Sequence, residues 1–499
     1  MAPDPPQIRF LSLGTDPLRE RLALRPPLIQ SSSTFRQLDA VERYVRDPEL
    51  GAKSVAVEGH YIDRDFIEDY SVFYSKNLGQ IPNYCQRLHF FNLDASHVET
   101  ALRRIRQIRE TREFRTASEA FSKDHYLGFC VIKPLPGCPV GRTVLRCFRR
   151  DSKPGFRRDF SCKCDYQVHL MGIPLDVSGL AFQQQDLGVS ACATTALWSA
   201  LQRARELESG TPATPAHITI KASQYTLPFG RSMPSEGLSL DQMCQAVQSL
   251  GYAPNLFRVE SYQVSRWIIF AAVRSGISPV LIMKRGLLAH AVAVAGMKLR
   301  SPHQPQIAKG IIDELSVDLA AVYIHDDRVG PYRRAEIEES EGALDLRLES
   351  DDKWRLTHIL VPMHNKVRLS FSQLRSTAFW IAGSFDSRRK NLSMPRVQIG
   401  LTAWIQRSHS YIESQLEQDN RLLDEILDKL CGGGVPLSRY VGVVRLTADD
   451  VGPIDILLDT TSTERNLRCI AVIRREQERP GANKIARFVA EKLECPFLG

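Results

Sequence analysis

Two spacings of apolar residues alternate along the chain, and each change of spacing marks a candidate element. In "DASHVETALRRIRQIRETREF", residues 94–114, Leu102, Ile105 and Ile108 recur every three positions, which predicts a helix. Its other faces are rich in arginine and read first as a solvated surface, with an acidic partner as the sharper alternative. "YLGFCVIKPLPGCPVGRTVLRCF", 126–148, alternates β-rich runs with Pro-Gly turns and predicts two short strands joined by a loop.

Further on, "LSLDQMCQAVQSLGYAPNLF" and "YQVSRWIIFAAVRSG" predict helices closed by Gly251 and Gly276, each leading toward an extended stretch. "SPVLIMKRG" and "LLAHAVAVAGMKL" follow as β-rich runs, the second apolar on both faces, as in a strand buried within a sheet. "AAVYIHDDRVGPY" predicts a third strand ending in a turn. The charged stretch "RRAEIEESEGALDLRLESDDKWR", 333–355, reads as an excursion or linker before the strand "LTHILVPM". Near the end, "YIESQLEQDNRLLDEILDKLCGGG" predicts a helix stopped by three glycines, and "YVGVVRL", "IDILLD" and "LRCIAVIRR" predict strands.

These patterns give an α+β fold with three regions. Residues 1–175 form an N-terminal α/β region, 176–365 a central domain with a helical half followed by a sheet half, and 366–499 a C-terminal α+β region. At 499 residues, with 43% hydrophobic and 24% charged residues, the chain is long enough for a large core and too apolar for extensive disorder. The opening "MAPDPPQIRFLSLG" lacks the basic start and apolar stretch of a secretory signal, and no apolar run approaches the roughly 20 residues of a membrane span. Eleven cysteines without a repeating spacing suit reduced thiols, so the expected location is cytoplasmic and of bacterial type, with no membrane partner. A net charge of +8 over so long a chain is weak support for a nucleic-acid partner. Cys162, Cys164 and His169 in "SCKCDYQVH" match structural zinc spacing poorly, so no metal is expected there.

The segment "QQQDLGVSACATTALWSALQ", 183–202, carries the strongest candidate chemistry. With Ser190 as N-cap, Cys192 falls in the first turn of a helix, where unpaired N–H groups and the helix dipole favour a thiolate. Ala193, Ala196, Leu197, Ala200 and Leu201 then follow the spacing of a helix buried along one face. A thiol needs an imidazole as base and a third group to orient it. His290, near the start of "AHAVAVAGM", and Asp326, ending the next strand, can supply both. His325 and Asp327 are rivals for the orienting position, although alternation along a strand allows only one of an adjacent pair to face His290. Gln183, Gln184 and Gln185 all lie where a side-chain amide could join the oxyanion site, with Gln185 favoured.

Together "QQD...ACATTALWSAL", "GISPVLIMKRGLLAHAVAVAGM" and "VYIHDDRVG" resemble the papain-like cysteine peptidases of the bacteriocin-leader-processing type. The resemblance covers about 150 residues of the central region, and implies Cys192 as nucleophile, His290 as base, Asp326 as orienter and Gln185 as oxyanion donor. It departs from that family at Ala193, where glycine is usual, and at Asp326-Asp327, where the family has Asp-Pro. "DLG" at 186–188 echoes the family's "DCG"; on that alignment Leu187 would replace the nucleophile. The expected activity is cleavage of a protein or peptide amide without a cofactor. The alternatives are transglutaminase or deamidase chemistry on the same triad, or an inactive scaffold used for binding. The flanking regions leave room for a regulatory protein partner.

Overall fold

The computed structural model describes residues 8–22, 35–76, 81–150, 156–186, 191–208, 210, 213–224, 237–300, 312–314, 318–348, 352–394, 397–413, 437–448, 451–462, 468–474, 482–495 and 497–498. Five antiparallel strands, β1 (Ile8–Ser12), β2 (Ser54–Tyr61), β3 (Cys85–Phe91), β4 (Tyr126–Ile132) and β5 (Val140–Leu145), form the first sheet in chain order. Between them run α1 (Leu18–Arg21), α2 (Arg36–Val45), α3 (Arg64–Asp69), α4 (Ala95–Gln107) and α5 (Glu113–His125). The helix expected over 94–114 is thus two helices separated by a turn; α4 buries Val98, Leu102 and Ile105 and leaves its arginines in solvent. The two strands expected over 126–148 are β4 and β5, paired from Gly128–Leu145 to Ile132–Val140.

β6 (Phe156–Asp159) joins a later sheet, and β7 (Cys164–Leu170) pairs with β8 (Ile173–Gly179) in a separate hairpin. Then come α6 (Cys192–Glu208), α7 (Pro215–Ser223), α8 (Leu240–Ser249), β9 (Tyr252–Arg258) and α9 (Tyr262–Arg274). Gly251 and Gly276 close α8 and α9 with φ of +89° and +70°, a left-handed backbone that glycine adopts freely.

The strands β10 (Val280–Arg285), β11 (Leu288–Arg300), β13 (Leu319–Asp326), β14 (Gly330–Ser340), β15 (Ala343–Leu348) and β16 (Lys353–His364) follow, and β12 (Ile312–Glu314) pairs elsewhere. Because β10 also pairs with β16, these six strands close into an antiparallel barrel, with β9 added on β16. The charged stretch 333–355 is therefore no linker. It forms most of β14, all of β15 and the start of β16. Its inward positions are apolar and buried, namely Ala335, Leu344, Leu346 and Trp354. Most of its charges are on the opposite face and pair across strands, as Arg347 with Glu338 at 2.8 Å and Lys353 with the covered Asp345 at 3.2 Å. The density of charge concealed a strand alternation.

The C-terminal region has α10 (Phe371–Asn391), entered through a capping box of Ser370 and Gln373, and a sheet ordered β12, β17 (Ile399–Arg407), β18 (Tyr440–Ala448), β19 (Gly452–Asp459), β20 (Cys469–Arg474), β21 (Phe497–Leu498). The three strands expected here match β18, β19 and β20. The helix expected over 411–434 falls almost entirely outside the described residues.

Packing ties the regions together. One apolar cluster joins Trp267, Met297 and Leu346 of the central region to Phe385 and Leu446 of the C-terminal one. Another joins Phe129 and Tyr126 of the first sheet to Leu197, Trp198 and Leu201 of α6. α6, expected to be buried along one face, is buried nearly all round, because it lies between the N-terminal layers, α7, α8 and the barrel strands. Each large apolar side chain it buries is worth about 1.5–3 kcal/mol. Among the described residues no helix is long and apolar enough to cross a membrane.

Candidate functional site

Cys192 is the first residue of α6 and half-buried, so its sulfur sits at a helix N-terminus fixed by a fully packed helix behind it. Ser190, the expected cap, lies outside the described residues, as does Leu187. Thr195 secures the first turn by donating its hydroxyl to the Cys192 carbonyl at 2.9 Å. His290 projects from β11 opposite Met283 of β10, is 3% exposed, and lies close enough to the Cys192 side chain for the two to interact.

The other half of the relay comes from the end of β13. His290 Nε2 donates to Asp326 Oδ1 at 3.0 Å, which leaves Nδ1 as the ring nitrogen for the thiol. The Arg328 backbone N–H donates to the same carboxylate oxygen at 3.0 Å, and the Val329 N–H to the Asp326 carbonyl at 3.0 Å, so a tight turn holds the carboxylate in place. Three separated sequence segments thus meet in one cluster.

The two rivals occupy different environments. His325 is buried with Nε2 donating to the Leu180 carbonyl at 3.0 Å and Nδ1 accepting from the Tyr332 N–H, so it is a satisfied core residue. Burial presses its pKa down to about 3, so it stays neutral. Asp327, however, also approaches His290, with Oδ1 3.8 Å from Nε2. Strand alternation does not separate it from Asp326, because β13 ends at Asp326 and the chain has already entered the turn.

Charge is unevenly shared in this cluster. Burial works against an imidazolium at His290, but the hydrogen bond to Asp326, the neighbouring Cys192 side chain and the nearby carboxylates outweigh it and hold its pKa up at about 10. Asp326 is held below the usual carboxylate range despite its burial, through its bond to His290 and the Arg328 N–H. Burial and the adjacent Asp326 charge push Asp327 up to about 7, and one of its oxygens, Oδ2, has no hydrogen-bond partner among the described residues. The arrangement suits an imidazolium oriented by one ionised carboxylate beside the Cys192 side chain.

The three glutamines separate as well. Gln184 is committed to the 137–140 loop, donating to the Gly137 carbonyl at 3.1 Å and accepting from the Val140 N–H at 3.3 Å. Gln183 is 4% exposed, and its amide nitrogen has no partner among the described residues. Gln185 is half-buried and directly precedes Asp186, whose carboxylate meets Lys133 at 3.5 Å in the interior. The segment carrying Gln185 is therefore anchored on both sides.

His290, Asp326 and Asp327 are the group of described residues whose potential ligand atoms come within 4.8 Å of one another. The Nε2 atom that a metal ion would need is already engaged by Asp326, which fits an oriented ion pair better than a coordination site. Cys162 and Cys164 are buried in separate apolar clusters, and His169 is exposed on β7, so the three do not converge.

Four nearby residues escaped sequence reasoning. Gln37 and Arg36 come from α2, Trp354 from the stretch read as linker, and Arg328 from the turn. Trp354 places its ring 5.7 Å from that of His290. Arg328 alone had a signal, its place two residues after Asp326. Neither the models of known protein families nor the curated proteins compared with this chain match it.

Proposed function

We propose that the chain is a cysteine peptidase of papain-like arrangement that cleaves a protein or peptide amide through Cys192, His290 and Asp326. The observation that carries this reading is the cluster itself: a half-buried thiol at a helix start beside a buried histidine whose Nε2 is held by a carboxylate at 3.0 Å. The six-stranded barrel carrying His290 and Asp326 beside the helix carrying Cys192 supports the two-part architecture.

In this mechanism the thiol proton resides on His290 and the thiolate attacks the amide carbonyl carbon, forming a carbon–sulfur bond. Charge moves to the carbonyl oxygen, where Gln185 and backbone N–H groups at the helix start receive it. As the C–N bond breaks, the His290 imidazolium gives its proton to the leaving amine, and a thioester remains. Water then gives a proton to His290 as its oxygen adds to the thioester carbon; the C–S bond breaks, the carboxylic acid departs, and the thiolate is left beside the His290 imidazolium as at the start. Asp326 keeps the ring oriented throughout.

The test is alkylation of the full chain with iodoacetamide at neutral pH, mapped by mass spectrometry. Cys192 is expected to react faster than the other thiols, and at least about tenfold more slowly in His290→Ala. An unchanged rate in that variant would sink the reading. Product mass then separates backbone cleavage from a crosslink or a one-dalton gain on a glutamine side chain.

A further inference from the structure

We infer that the pocket on the His290 side of the site receives an acidic segment of the peptide substrate, a reading that rests on the amide-cleavage function proposed above. The pocket, a cavity of about 60 Å³, opens to solvent and is walled by His290, Trp354, Arg36, Arg328, Arg333 and Arg334. Four guanidinium groups around so small a space are a concentrated positive field.

The carboxylates in the same wall are already committed. Asp326 holds His290, and Asp352 is ion-paired with Arg285. Arg36, Arg328 and Arg334 are exposed, so their planar forks can meet an arriving carboxylate in bidentate fashion; Arg334 also contacts Glu336 at 2.9 Å. Trp354 is 2% exposed, and its indole N–H has no hydrogen-bond partner among the described residues, which adds a buried donor to the wall.

The position of the pocket assigns the part of the substrate it takes. His290 delivers its proton to the leaving amine, so the residues following the cleaved bond run on the His290 side. Acidic side chains there, or a free terminal carboxylate, are the anions that this pocket would receive.

The experiment uses the full chain carrying Cys192→Ala and fluorescein-labelled tetraglutamate, its C-terminally amidated form, and tetraglutamine, read by fluorescence anisotropy. Tetraglutamate is expected to bind about tenfold or more tightly than tetraglutamine. Retention in the amidated form assigns the preference to side chains, and its loss to the terminal carboxylate; both support the pocket. Arg36→Ala with Arg334→Ala should abolish the preference at an unchanged melting temperature, whereas lysine at both positions keeps part of it. Equal binding of the acidic and neutral peptides, binding of neither, or tighter binding of a labelled oligothymidine would overturn the inference. None of these measurements needs the thiol, so a failed pocket and a failed relay, the latter read by iodoacetamide, remain distinguishable.

Discussion

The side-chain amide of Gln37 donates to the main-chain carbonyl of Asp327 at 3.0 Å, joining residues 290 positions apart. Through this bond α2 lies against the turn that holds Asp326, and Arg36 on the same helix reaches the pocket beside His290. The N-terminal region is thus part of the wall of the site.

That contact depends on Gly330. Its φ is +148°, and a Cβ there would come within 2.5 Å of the Ala40 Cβ on α2. Gly330→Ala should cost about 1–3 kcal/mol through overpacking, with added strain from the backbone angle. A thermal melt checks this, and a melting temperature equal to wild type would refute the proposed close packing.

Residues 176–365 expressed alone should not fold. Leu197, Trp198 and Leu201 of α6 would lose the Tyr126 and Phe129 partners of the first sheet, and Met297 and Leu346 the Phe385 and Leu446 side. Exposed apolar surface of that extent leads to aggregation. Circular dichroism and dye binding on the fragment are the measurements, with a sharp cooperative melt as the contrary outcome.

The stability contributed by His290 should depend on pH in a defined direction. Its pKa is about 10 in the folded chain against 6.5 ordinarily, so the folded state binds more protons in between. The contribution is complete below about pH 6.5 and is lost as pH rises through about 10. The melting-temperature difference between wild type and His290→Ala should therefore shrink steadily from pH 6 to pH 10. A constant difference would show that the imidazolium adds nothing.

Asp327 should behave in the opposite sense to a paired carboxylate. Its folded pKa of about 7 lies above the ordinary 3.8, so ionisation destabilises the fold as pH rises through that interval. Asp327→Asn keeps the backbone carbonyl that Gln37 uses and stays neutral. It should melt higher than wild type at pH 8 and show no gain at pH 4; a lower melting temperature at pH 8 would assign the carboxylate a stabilising role.

Much of the site could be read locally. The helix beginning at Cys192, the buried strand carrying His290 and the strand ending at Asp326 each follow from apolar spacing and turn chemistry, and the structure brings these residues into one cluster. Local reading failed where charge masked alternation, in β14 and β15, and where a strand had already become a turn, at Asp327. It favoured Gln185 with Gln184 second, and could not see that Gln184 is occupied, because only the 137–140 loop decides that.

The sequence by itself determined the elements and the order of thiol, imidazole and carboxylate along the chain, since period and capping act over a few residues. Tertiary structure alone decided that α6 is enclosed on nearly all sides, that six strands close into a barrel, and that α2 and its arginine border the pocket. The physical reason is that an apolar face states only that it must be covered. Which distant segment covers it is settled by how volumes and unpaired polar groups fit together, as when Gln37 finds the carbonyl of Asp327.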